Sequence, residues 1–201
     1  MTQRIIGLTG GIATGKTTVA NYLASVHHLP VFDADIYARD AVSLGSPILD
    51  AIAGRYGKEI LLPDGSLNRP KLGELIFQNQ DERHWLESLI HPYVRDRFLK
   101  AIAESTSPIL VLVIPLLIEV QMTNLVTEIW VVTCSESQQL QRLMERNHLT
   151  LEQAQARINS QLSLKEKAAI ADVVLDNSSS LESLLKQIDT ALNFEFTSNV
   201  N

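Results

Sequence analysis

The chain has 201 residues, 45% hydrophobic and 20% charged, with 17 Lys and Arg against 23 Asp and Glu for a formal charge of −6. That length suits one domain, or one domain with an insertion, and the composition is that of a soluble globular protein. The acidic balance speaks against a nucleic-acid partner, and no apolar run approaches the roughly 18 residues that a membrane span requires.

Arg4-Ile5-Ile6-Gly7-Leu8-Thr9 reads as a short buried strand, and it starts too early in the chain to leave room for a secretory leader. Directly after it stands Gly10-Gly11-Ile12-Ala13-Thr14-Gly15-Lys16-Thr17, a complete G-x-x-x-x-G-K-[ST] phosphate-binding loop. Val19, Ala20, Leu23 and Ala24 then recur at helical spacing, predicting a helix over 17–26. Strand, glycine loop and helix in that order form a cradle for a triphosphate. Small residues let backbone N–H groups from Gly11, Ile12, Ala13, Thr14 and Gly15 come close, and the helix start adds unpaired donors and the positive end of its dipole. Lys16 is placed to reach the outer phosphates and Thr17 to ligate Mg²⁺, with Thr18 a second hydroxyl beside it.

Leu29-Pro30-Val31-Phe32 is a second short apolar run, ending in Asp33-Ala34-Asp35. Carboxylates at the carboxyl end of a parallel strand are where open α/β sheets carry their working groups. An extended chain would point Asp33 and Asp35 to one side, so either could face the bound phosphates; either could instead cap a helix beginning at Ile36. From 36 to 107 the pattern becomes helical, over 36–42, 47–56, 70–77 and 81–104, separated by turn clusters such as Pro63-Asp64-Gly65-Ser66. With no strand in evidence, this block reads as an all-helical insertion suited to holding an acceptor. Within it, His91-Pro92 reads as a kink or turn.

The sheet resumes at 108–114, an unbroken apolar run typical of a central strand covered on both faces. It ends at Pro115 without a Walker B aspartate; the nearest acid is Glu119, which shifts metal and base duties toward Asp33 and Asp35. Strands follow at 127–134 and 172–176. Between them a polar helical stretch, 136–167, carries Arg142, Arg146 and Arg157, broken near 147–150 as a lid tip would be. A solvated charged face is the plainer account of these arginines. Cys134, the single cysteine, reads as a core thiol and fits a reducing compartment. A closing helix over 181–192 and a frayed tail over 195–201 complete the chain.

The expected fold is therefore α/β: a doubly wound parallel sheet of about five strands, of the P-loop NTPase type, with an inserted helical substrate subdomain and a helical lid. Its nucleotide-binding core is assigned to 1–35, 108–135 and 168–194, the acceptor subdomain to 36–107 and the lid to 136–167. Neither the Asn-Lys-x-Asp nor the Asp-x-x-Gly string of a GTPase occurs, and a motor ATPase would want the missing Walker B acid. A small-molecule kinase remains.

Several strings together resemble the dephospho-CoA kinase family: Leu8-Thr9-Gly10-Gly11-Ile12 through Lys16, Asp33-Ala34-Asp35 with Ala38-Arg39, Asp64-Gly65-x-Leu67-x-Arg69, His91-Pro92, Pro115-Leu116-Leu117 with Glu119, Arg157 with Gln161, and Ala171-Asp172 with Asp176-Asn177. The resemblance spans about residues 4 to 190. It implies transfer of the ATP γ-phosphoryl group to the ribose 3′-hydroxyl of dephospho-CoA, with Asp35 as general base and Asp33 beside it. Arg142 is the nominated lid arginine. The resemblance also implies substrate contacts at His91 and Leu116; Arg157 meets the acceptor or the lid's own carboxylates, and Asn177 is placed either like the adenine-holding loop of P-loop kinases or in a simple turn. Two positions depart from the family pattern: Ala13 stands where Gly is usual, and Ser178-Ser179-Ser180 where a Gly often follows. The expected partners are the small molecules ATP and dephospho-CoA, with Mg²⁺, in the cytoplasm, and the chain is expected as a monomer or weak homo-oligomer. A kinase for another small acceptor and a passive ATP sensor are the rival readings.

Overall fold

The computed structural model describes residues 3–193; the tail expected over 195–201 lies outside them. The elements run β1 (Arg4–Gly10), α1 (Lys16–Ser25), β2 (Val31–Asp33), α2 (Ala34–Ala41), α3 (Pro47–Tyr56), α4 (Arg69–Gln78), α5 (Gln80–Glu104), β3 (Ile109–Val113), β4 (Glu128–Thr133), α6 (Glu136–Asn147), α7 (Leu151–Asn159), α8 (Leu164–Ala169), β5 (Val173–Asp176) and α9 (Leu181–Asn193). They divide into two compact units, one of residues 1–32 and 106–201 and one of 33–105.

The first unit holds a five-stranded parallel sheet in the order β2-β3-β1-β4-β5. From β1 the chain crosses to the edge strand β2, returns to β3 beside β1, and then passes to β4 and β5 on the other side. The connections after β1 and β3 therefore leave in opposite directions, and the loop after β1 borders that reversal, the usual ligand position of a doubly wound sheet. Ile6, Leu8, Val111, Val113, Trp130, Val132 and Leu175 from the strands pack with Val19, Ala20 and Leu23 of α1 and with Leu184, Ile188 and Ala191 of α9. Leu110, Leu112 and Val131, which alternate with these, are equally buried. Burial on both faces is why β3 and β4 are written as continuous apolar runs.

The polar stretch expected as one helical lid is three helices, each opened by a reciprocal capping box: Ser135 with Gln138, Thr150 with Gln153, and Ser163 with Glu166. The break expected at 147–150 is made by His148, which ends α6 in the left-handed region at φ 53°. A box at each start satisfies two orphan donors, so short polar helices with little apolar surface still form.

The second unit packs α2 to α5 around Val42, Leu49, Ile52, Ile60, Leu67, Leu72 and Leu86. Ser46, Asn68 and Asn79 cap α3, α4 and α5. The block is not wholly helical as expected: a 3-10 turn at Lys58–Ile60 leads into an antiparallel bridge between Leu61 and Leu67. The turn closing that bridge works because Gly65 takes φ 82° and Asp64 Oδ1 accepts from the Ser66 amide and hydroxyl at 2.9 and 2.6 Å. Those bonds hold the Asp64 carboxyl below its usual range, the hydroxyl contributing most. Of the kink or turn expected at His91-Pro92, the turn is not formed. α5 runs through Pro92, the lost backbone bond being outweighed by burial of Val94 and Phe98 on the same helix.

Candidate active site

α1 opens without a side-chain cap: its N-cap is Gly15, at φ 108°. A helix start left with unpaired N–H groups is an anion site in waiting. Gly10 also takes a positive φ, 146°, and Ala13 adopts φ 62°. For alanine that conformation costs about 1–2 kcal/mol, so the residue at this position holds strain in the backbone. Lys16 Nζ donates to the carbonyls of Gly10 and Gly11 at 3.1 and 2.7 Å, which lays the ammonium along the loop. Thr14 is buried and its hydroxyl donates to the Gly11 carbonyl at 2.9 Å. Thr17 and Thr18 lie exposed in the first turn of α1. Among the described residues no group of three or more His, Cys, Asp or Glu could hold a metal ion.

Three segments distant in sequence grip the loop from outside. Gln139 of α6 donates to the Ile12 carbonyl at 2.9 Å, Gln161 between α7 and α8 accepts the Ile12 N–H at 3.0 Å, and Asn177 after β5 donates from its side chain to the Thr14 carbonyl at 2.8 Å. Arg142 is half-buried on α6 and donates to the Asn177 carbonyl at 3.2 Å, its Nη1 buried without a hydrogen-bond partner among the described residues. Cys134 is buried as expected of a core thiol, and burial pushes the thiol's pKa up against the opposing pull of Arg142. Arg146 and Arg157 are exposed, on α6 and α7.

Leu116 is half-buried in the turn that follows β3. The neighbouring Pro115 carbonyl accepts from the Thr9 hydroxyl at 3.1 Å and from Lys167 Nζ at 3.0 Å. Lys167, fully buried, also pairs with Glu119 at 2.8 Å, and Glu119 Oε1 accepts from the Leu162 N–H at 3.2 Å. Glu119 is therefore paired with a lysine and bonded to the backbone next to Gln161 through Oε1, while its Oε2 is buried without a hydrogen-bond partner among the described residues. Gln139 and Lys167 were not singled out in the sequence. Neither belongs to a local pattern: Gln139 lies 127 residues from the atom it holds and Lys167 lies 52 from Pro115.

Asp33, Asp35 and His91 belong to the helical unit. Asp33 is the N-cap of α2, its Oδ1 accepting from the Asp35 amide at 2.7 Å. The chain leaves the extended form at once after Asp33, so the strand alternation expected for the two acids does not apply: Asp35 lies in the first turn of a helix that begins at Ala34 and not at Ile36. Asp35 is exposed and His91 is half-buried.

The family model "Dephospho-CoA kinase" matches residues 4–183. A dephospho-CoA kinase from Trichormus variabilis is 97% identical over 195 residues, covering 97% of this chain and 100% of its own; one from Synechocystis is 57% identical, covering 92% and 93%. The crystal structure of TT1252 from Thermus thermophilus superposes with a TM-score of 0.81 at 31% identity, over 96% of this chain and 97% of its own. Dephospho-CoA kinase from Campylobacter jejuni gives 0.71 at 26%, over 95% and 96%. A shikimate kinase from Bacteroides thetaiotaomicron, at 14% identity and TM-score 0.53, shares the fold. With its phosphate loop intact and a match that runs nearly from end to end, the chain is a member of the dephospho-CoA kinase family.

Proposed function

We propose that this chain phosphorylates the ribose 3′-hydroxyl of dephospho-CoA with ATP, giving coenzyme A and ADP in the last step of coenzyme A biosynthesis. The observation that carries the reading is the family match over 4–183 on a chain whose G-x-x-x-x-G-K-T loop opens an uncapped helix. Phosphoryl transfer asks for alignment and charge stabilisation more than for covalent chemistry. The loop amides, the start of α1 and Lys16 hold the phosphates and stabilise the charge that develops on them. Thr17 would hold Mg²⁺, which supplies further neutralisation of that charge. Asp35 accepts the proton of the 3′-hydroxyl, and the capping bond made by Asp33 supports dividing the pair in that way. Arg142 contributes positive charge at the nucleotide end and Arg157 meets the acceptor, with His91 and Leu116 as further acceptor contacts. The protein works in the cytoplasm as a monomer or weak homo-oligomer, which sedimentation at working concentration checks.

The test is an acceptor panel. With labelled ATP and Mg²⁺, dephospho-CoA should take up label at the 3′-position, while adenosine, nucleoside monophosphates and shikimate stay unlabelled. Faster labelling of any other acceptor would overturn the assignment.

A further inference from the structure

Ala13 keeps a left-handed conformation, which persists only where the surroundings over-determine it. Here the surroundings are the carboxamides of Gln139, Gln161 and Asn177. A trans peptide is planar, with its N–H and C=O pointing in opposite directions, so a partner that holds one end aims the other. Gln161 holds the N–H of the Gly11–Ile12 peptide, and the carbonyl at its far end accepts Lys16 Nζ and the Thr14 hydroxyl. Gln139 holds the carbonyl of the Ile12–Ala13 peptide, which turns the Ala13 N–H the other way. Asn177 does the same for the Gly15 N–H by holding the Thr14 carbonyl. Among the described residues the N–H groups of Ala13 and Gly15 meet no acceptor.

We propose that Gln139 and Gln161, together with Asn177, are positioning residues for the transfer reaction. By fixing three peptide planes they set the loop with its donors turned toward the phosphates before the nucleotide arrives. A flipped plane would present a carbonyl oxygen to the triphosphate where a donor is needed; prevention of that flip is preorganisation done at folding and not at binding. The choice of side chain follows. A carboxamide serves as donor to a carbonyl or acceptor to an amide without adding charge beside the phosphates, which neither Lys nor Glu can do. Gly11 belongs to the same device, since a β-carbon there would stand 2.5 Å from Gln139 Nε2.

The proposal rests on the loop being the ATP site, and its deciding comparison reads ATP binding without any acceptor. Glu at either Gln position adds the same charge at a similar distance from Ile12. Gln161→Glu keeps the acceptor that the Ile12 N–H needs, whereas Gln139→Glu sets an acceptor against a carbonyl. In calorimetry on the full chain, Q161E should bind ATP about tenfold or more tightly than Q139E. Gln139→Met, which removes the donor without adding charge, should weaken ATP about tenfold, with the thermal midpoint within a few degrees of the parent and the KM for dephospho-CoA within about twofold. Gln161→Met probes the same clamp from a linker, should Q139M fail to fold. Equal ATP affinity for the two Glu variants, or parental affinity in a folded Met variant, overturns the proposal. A parent that binds ATP but leaves dephospho-CoA unlabelled would sink the proposed function and leave this comparison standing.

Discussion

The side-chain nitrogen of Asn177 lies 2.2 Å from the point where a β-carbon on Gly15 would stand. Gly15 is also at φ 108°, so two independent constraints exclude a side chain there. Gly15→Ala should displace Asn177 from the Thr14 carbonyl, cost about 1–3 kcal/mol of stability and abolish measurable ATP binding. Calorimetry and thermal melts check both, and ATP affinity within twofold of the parent would refute it.

Lys16 and Asp35 should separate by kinetic signature. Lys16→Ala removes charge stabilisation worth about 3–4 kcal/mol, a fall of about 10²–10³ in kcat, and weakens ATP as well. Asp35→Asn should leave folding and ATP affinity close to the parent while transfer to dephospho-CoA drops by about 10²–10⁴. Near-parental transfer by Asp35→Asn would remove it as the base.

Ala13→Gly relieves the left-handed strain without disturbing the carboxamide contacts to its neighbours. The expected gain is about 0.5–1 kcal/mol, or about 2 °C in thermal midpoint for a chain of this size. Any loss of stability would mean that the backbone at this position is not strained.

The helical unit carries its own pH dependence. Arg55 donates to both oxygens of Glu82 at 2.7 and 2.9 Å and stacks over Trp85 at 4.4 Å, while the Tyr56 hydroxyl also bonds to Glu82. These bonds, with Arg55 foremost, draw the Glu82 carboxyl down to about 2, and burial together with Glu82 pushes Tyr56 up to about 12. A depressed carboxylate stabilises the fold above its ordinary pKa and stops doing so as pH falls toward 2; a raised tyrosine does so below pH 10 and stops as pH climbs toward 12. The midpoint difference between the parent and Glu82→Gln should therefore shrink between about pH 4 and pH 2. A difference constant over that window would contradict the pairing.

Local patterns carried most of the fold. The strand, glycine loop and helix at 4–26 were legible because each residue's neighbours in sequence are its neighbours in space, and β3 and β4 because burial on two faces leaves an unbroken apolar run. What escaped was anything set by distant partners. Gln139 sits on a polar helix indistinguishable from a solvated face until the loop is placed beside it, and Gln161 was legible as part of a family string but not as a partner of the Ile12 amide. Asp33-Ala34-Asp35 was legible as a string of the resembled family but not as geometry, since a cap turned the chain two residues sooner than the apolar spacing implied.

Arg4 pairs with the buried carboxylate of Glu128, which the Trp130 indole also reaches at 3.0 Å, and donates to the carbonyls of Leu192 and Ala191 at 2.7 and 2.9 Å. One guanidinium thus rivets the opening strand to the last turn of the closing helix, where a positive charge also suits the dipole. Trimming or retagging the amino end past this arginine would unbuckle α9 some 190 residues away, and the damage would register first as fraying at the opposite terminus.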